Sequence, residues 1–235
     1  MRKIVVLLLF AFVIKGHAQQ NKRLFSKDPI INLENFQKQK MYFGFYLGFN
    51  SFDFKIDYKT PVETDIFVKK STGFNVGLVA DLKLHEYISL RFEPGLYYTK
   101  RDFYYPDFAN KNDILREVSS TYLHFPLLLK FSSLRTGNIR PYLLGGVSAT
   151  LNLSSNSKSL DDNLEGTFRV KSWTTNYELG FGIDIFSEYF IFSPSIRGVF
   201  GIGDELIRDK DPNSPWTGNI QSLKSRAFLI NFTFH

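Results

Sequence analysis

Residues 41–52 read MYFGFYLGFNSF. Met41, Phe43, Phe45, Leu47 and Phe49 alternate with Tyr42, Gly44, Tyr46, Gly48 and Asn50. Successive side chains in a β-strand point to opposite faces, so one face of this segment is continuously apolar and the other small or polar. A soluble barrel of the lipocalin type shows the same rhythm, but it turns its apolar face inward. Here the polar face is the one rich in glycine, which suits a narrow, crowded interior. The Phe and Leu face then meets lipid, and the segment reads as a strand of a membrane barrel.

The rhythm recurs seven more times. Residues 72–84 place Phe74, Val76, Leu78, Ala80 and Leu82 outward, against Asn75, Gly77, Asp81 and Lys83 inward. The third segment sends Ile88, Leu90, Phe92, Leu96 and Tyr98 outward and Ser89, Arg91, Glu93, Gly95 and Thr99 inward. In residues 119–131, Tyr122, His124, Pro126, Leu128 and Lys130 face in. In 139–153, Arg140, Tyr142, Gly146, Ser148 and Thr150 do. Residues 170–186 turn Trp173, Tyr177, Leu179, Phe181, Ile183 and Ile185 to lipid, with Asn176, Glu178, Gly180, Gly182 and Asp184 behind them. Residues 189–201 direct Ser193, Ser195 and Arg197 inward, and 223–235 direct Ala227, Asn231 and Thr233 inward.

The connections sort themselves as well. Those after the second, fourth and sixth segments are short, near His85-Glu86, residues 133–138 and Ser187-Glu188. Those after the first, third, fifth and seventh are long and polar. Alternation of this kind predicts an all-β fold, an eight-stranded antiparallel up-and-down transmembrane β-barrel with short periplasmic turns and long outer loops.

Composition agrees. Aromatic residues make up 17% of the 235, with 25 Phe and 12 Tyr. Beyond the N-terminal region no stretch approaches the roughly 20 consecutive apolar residues of a helical span. Cysteine is absent, which excludes thiol nucleophiles, thiolate metal sites and disulfides. The net charge of +6 comes from scattered Lys and Arg, so no nucleic-acid surface is expected; outer-membrane lipids and lipopolysaccharide are the expected surroundings. At the N-terminus, Arg2-Lys3, the apolar run 4–14 and Gly16-His17-Ala18 have the plan of a secretory signal peptide. The expected organisation is a signal peptide over 1–18, a periplasmic lead-in over 19–40 and the barrel over 41–235.

Two sets of residues are candidates for function. Asp81, Arg91, Glu93, Lys130, Arg140, Glu178, Asp184 and Arg197 all project inward, with balanced signs. An eight-stranded barrel is just wide enough for side chains to fill it. These charges are therefore expected to pair and plug the lumen rather than line a solute conduit. In the lead-in, Phe25, Ile31, Leu33 and Phe36 interrupt a basic stretch and are candidates for a lid under the barrel or a docking peptide. No cofactor, metal site or catalytic residue is expected. His124 is the one inward histidine within a strand, and no nucleophile motif surrounds any serine.

The runs SLRFEPGLYY (89–98), YLHFPLLLK (122–130), RPYLLGG (140–146) and GFGID (180–184) resemble the outer-membrane β-barrel domain of bacteria that use type IX secretion. Residues 24–58, LFSKDPIINLENFQKQKMYFGFYLGFNSFDFKIDY, resemble the lead-in and first strand of PorT proteins. That resemblance implies a noncatalytic outer-membrane component that supports export of cargo proteins together with other secretion-system proteins. A structural or adhesin-type barrel is the alternative, and a small-solute channel a lesser one. One departure is the terminal His235, where barrels of this kind often end on an aromatic; here Phe234 is penultimate.

Overall fold

The computed structural model describes residues 31–37, 39–61, 66–105, 114–161 and 163–235. The signal-peptide reading and Phe25 lie outside them. Ten strands form one antiparallel sheet: β1 (Met41–Tyr58), β2 (Phe67–Lys70), β3 (Thr72–Lys83), β4 (Ile88–Phe92), β5 (Gly95–Tyr104), β6 (Leu115–Ser132), β7 (Ile139–Asn152), β8 (Trp173–Phe186), β9 (Ile191–Gly201) and β10 (Ile220–Phe234). β1 pairs with β10 on one side and with β3 on the other, so the sheet closes into a ring.

The ten strands make eight spans, because two spans are each broken once. Pro94 has no N–H to give the ladder, and it separates β4 from β5 while both keep one register against β3 and β6. At Ser71 the register against β5 slips by one residue, from Lys70↔Arg101 to Phe74↔Tyr98, which is a β-bulge between β2 and β3. Residues 84–87, 133–138 and 187–190 make the short connections and leave the long loops at the opposite end.

Below the loops the outward face is apolar. Phe43, Leu78, Leu143, Leu179 and Phe181 stand exposed on it. Aromatic pairs pack across neighbouring strands on this face, among them Phe45–Phe234 at 5.3 Å and Tyr177–Phe200 at 5.1 Å between ring centroids. Tyr42, Tyr46, Asn50, Asn75, Tyr97, Thr99 and Asn231 are buried inside.

Several strands run further toward the loop end than the residue pattern suggested. β1 continues from Phe52 to Tyr58, β5 to Tyr104, and β6 begins at Leu115. Over this extension the alternation keeps its period and reverses its polarity. Phe52 and Phe54 are buried, while Lys55 between Phe54 and Ile56 is exposed. The cause is a change of solvent. Once the strands leave lipid, water lies outside, and the dry side is the barrel's interior. Phe54, Phe103, Tyr105, Phe168, Val170, Leu206, Trp216, Ile220 and Leu223 fill that end as one apolar cluster. Residues of the two long loops fold into it, joined to each other by the Val170↔Leu206 bridge and the Lys171 N–H to Glu205 carbonyl bond of 2.8 Å. The inward face is thus polar and charged toward the short-turn end and largely apolar toward the loop end.

Candidate functional site

The inward charges lie on strands whose registers set them side by side. Asp81 on β3 is the direct cross-strand partner of Arg91 on β4, and Arg140 on β7 that of Asp184 on β8. The first group is a chain. Arg91 donates through Nε to Asp81 at 2.9 Å and through Nη1 to Glu93 at 3.1 Å. The other Glu93 oxygen accepts from Arg197 Nη2, and Arg197 Nη1 donates to Glu178 at 3.1 Å. Glu178 then meets His124 Nε2 at 2.7 Å, and His124 Nδ1 lies 2.8 Å from the Thr150 hydroxyl. The second group centres on Asp184, which accepts from Lys130 Nζ at 2.8 Å, Arg140 Nη2 at 2.8 Å and Ser193 Oγ at 2.6 Å. Tyr142 lies against both groups, with Lys130 Nζ 4.1 Å and the Arg91 guanidinium carbon 5.5 Å from its ring centre.

Four carboxylates and four cations therefore face one another in a space where seven of the eight side chains are at most 1% exposed and Arg140 is at 8%. Charges this dry persist only when paired and hydrogen-bonded. Thr150, His124 and Glu178 are connected in the order of a nucleophile, a base and an acid, yet all three are buried. The Thr150 hydroxyl also accepts from Asn176 Nδ2 at 3.0 Å. Among the described residues no group of three or more His, Asp or Glu is arranged to hold a metal ion.

Arg101 marks the border between the charged and apolar parts, and sequence reasoning did not single it out. Its guanidinium lies 3.8 Å from the Phe54 ring centre, donates to the Tyr122 hydroxyl, and donates to Ser225 Oγ at 3.2 Å. Ser225 in turn donates to Glu205 at 2.7 Å, so one hydroxyl bridges a buried cation and a buried carboxylate. Burial pushes the Glu205 carboxyl above its ordinary value, against the Ser225 N–H and hydroxyl and the charge of Arg101. Arg101 was legible only as a basic residue within an aromatic stretch, a signal that an exposed rim would also give.

At the short-turn end, residues 31–37 and 39–40 lie across the mouth of the barrel. Asn32 donates its N–H to Asn138 Oδ1 at 3.0 Å and its amide Nδ2 to the Phe186 carbonyl at 3.2 Å. Arg135 stacks 3.8 Å from the Phe186 ring centre and donates to the Asn32 carbonyl at 2.6 Å. Asn138 and Phe186 belong to the β7–β8 side of the ring, whereas the chain continues into β1 on the opposite side. The segment turns at Leu33, whose φ of 51° is in the left-handed region, before the one-turn helix α1 (Glu34–Gln37). Phe36 packs on Tyr42, 5.4 Å between ring centres, and Leu33 is half-buried; Ile31 is exposed. The described part of the lead-in is thus a strap across the barrel, and of the three candidate contact residues within it Ile31 is the exposed one, at 55%.

The sequence matches the profile of the family described as "Outer membrane protein beta-barrel domain" over residues 18–206. The chain belongs to that family. As a member of the outer membrane protein beta-barrel domain family it is placed in the cell outer membrane. No curated protein matches the sequence. Among solved structures, the outer membrane protein OprG from Pseudomonas aeruginosa is similar with a TM-score of 0.51 and 13% identity, covering 82% of this chain and 93% of that one. Neisserial surface protein A is similar with a TM-score of 0.40 and 13% identity, covering 80% of this chain and 95% of that one. At these identities the OprG likeness bears on the fold alone. The profile stops short of β10, the strand that closes this barrel against β1.

Proposed function

We propose that this outer-membrane barrel is a noncatalytic accessory component of type IX protein secretion. It would support the export of cargo through its surfaces, with the short-turn end and residues 19–40 in the periplasm. The observation that carries the reading is the filled interior. A charge network occupies the lower part, an apolar cluster with two loops folded into it occupies the upper part, and a strap crosses the mouth. A protein whose lumen is occupied acts through what it presents outside. The finer assignment to secretion is supported by the resemblance of residues 24–58 to the lead-in and first strand of PorT proteins. A structural or adhesin-type role is the second reading, favoured by the packed loop end.

The test is cargo export in a deletion strain. Loss of the gene should leave cargo in the periplasm, and the wild-type chain should restore its release. Ile31→Asp should lower cargo release several-fold while the barrel inserts as before, because Ile31 is exposed and makes no part of the wall. Normal export in the deletion strain would leave the structural or adhesin reading. Normal export with Ile31→Asp alone would remove the strap as a docking site.

A further inference from the structure

At the loop end, β1 and β10 outlast their neighbours. β9 ends at Gly201, its last pair with β10 being Phe200↔Arg226, while β10 runs on to Ile220 alongside β1 up to Tyr58. The β1–β3 ladder ends at Ser51↔Thr72. Over the described residues, 53–58 and 220–225 therefore pair as strands only with each other, with Glu205 of the β9–β10 loop donating its N–H to the Leu223 carbonyl at 2.8 Å. A groove of about 530 Å³ lies on the β9 side of this strand pair, lined by Lys55, Lys224 and Arg226 together with Tyr177, Phe200 and Ile202.

The charges on the strand pair's outer face are placed in an unusual way. Lys55 and Lys224 are directly opposed across the two strands. Like charges at that position destabilise a strand pair. Neighbouring carboxylates relieve the clash only in part. Asp53 is shared by Arg226 at 2.8 Å and Lys70 at 3.7 Å, and Asp57 by Lys55 at 3.4 Å and the Ser222 hydroxyl, which donates to it at 2.8 Å. Among the described residues, no carboxylate lies within 4 Å of the Lys224 ammonium. An anion seated between the two lysines turns the repulsion into binding.

The surroundings say what carries that anion. The row of outward side chains changes here from Phe49 and Phe228, which face lipid, to Arg226, Lys224 and Lys55. On the next strands apolar surface reaches the same height, through the stacked Tyr177–Phe200 pair and exposed Ile202. The groove thus has cationic groups on one wall and lipid-facing aromatics on the other, at the level where acyl chains give way to headgroups. We propose that this groove binds the phosphate of an outer-leaflet glycolipid, the lipid A part of lipopolysaccharide, between Lys55 and Lys224, with an acyl chain against Tyr177, Phe200 and Ile202. The assignment rests on the orientation proposed above, with the long loops outside, and not on the role in secretion.

The experiment uses the full mature chain in nanodiscs of neutral phospholipid, doped with lipid A that bears two phosphates or with the same lipid after phosphate removal. Lipid A retained by the purified particles is then quantified. Wild-type protein should retain the phosphorylated form at least several-fold over the dephosphorylated form. Lys55→Gln with Lys224→Gln should abolish that preference, Lys55→Arg with Lys224→Arg should keep it, and Lys158→Gln in the β7–β8 loop, which does not line the groove, should leave it unchanged. Cold-gel migration reports whether each variant is a folded barrel. Equal retention of the two lipids by wild-type protein, or an unchanged preference in the folded double glutamine variant, would overturn the site. Because lipid A is supplied to both leaflets of the disc, this result does not depend on orientation. Protease access to the long loops in intact cells tests the orientation separately.

Discussion

Glu93→Ala should be among the most destabilising single changes in the protein, costing about 3–5 kcal/mol. Glu93 joins two guanidinium groups, accepting from Arg91 on one oxygen and Arg197 on the other. Its removal leaves three carboxylates against four cations in a space that is closed to water. Arg91 keeps Asp81 and Arg197 keeps Glu178, so neither cation is stranded alone, but the network carries one uncompensated positive charge. The comparison is Glu117→Ala, on the outer face of β6, whose exposed pairing with Lys100 is screened by solvent and worth little. Urea unfolding in lipid bilayers, followed by the fluorescence of Trp173 and Trp216, measures both. A loss for Glu93→Ala no larger than that for Glu117→Ala would mean that the buried network contributes no cohesion.

The second large effect comes from one methyl group. Gly146 on β7 faces the interior opposite Leu128 of β6. A Cβ there would sit 2.2 Å from the Leu127 carbonyl oxygen and 2.8 Å from Leu128 Cα, both backbone atoms of the neighbouring strand. The β6–β7 ladder has to separate to admit it. Gly145, one residue earlier, points outward, and a Cβ there would meet only Leu179 Cδ2 at 3.5 Å. Gly146→Ala should therefore cut the yield of folded barrel to below about a tenth, the scale of an overpacked core. Gly145→Ala should fold like the parent. Heat-modifiable migration on cold gels separates the outcomes, and equal folding of the two variants would show that β6 and β7 are further apart than described.

The contrast between those glycines also marks how much of the fold was legible in the sequence. Residues 41–50 announce their two faces because lipid and a crowded interior ask for opposite kinds of side chain. The eight inward charges follow from the same period. The reversal beyond Ser51 was not legible as strand. Phe52, Phe54 and Ile56 alternate with Asp53, Lys55 and Asp57, so the period persists while the apolar phase moves to the other face. A pattern that identifies strands by one apolar face stops where the surrounding solvent changes. For the same reason Phe168, Leu206 and Trp216 read as parts of polar loops, and only the closed ring shows them packed together. The strap was legible as apolar spots in a basic segment. Its anchoring on Asn138 and Phe186 depends on contacts more than a hundred residues away in sequence, which local pattern does not carry.

That the interior is occupied from end to end is the claim on which the surface-acting role depends. It is tested most directly by conductance of the folded barrel in planar lipid bilayers. The account predicts no discrete current steps at moderate voltage, because the paired charges, the apolar cluster and the strap leave ions no continuous wet path. Stable ohmic steps from the folded protein, altered in size by Arg91→Gln or Arg197→Gln, would contradict it and make the lumen, rather than the surfaces, the working part of the barrel.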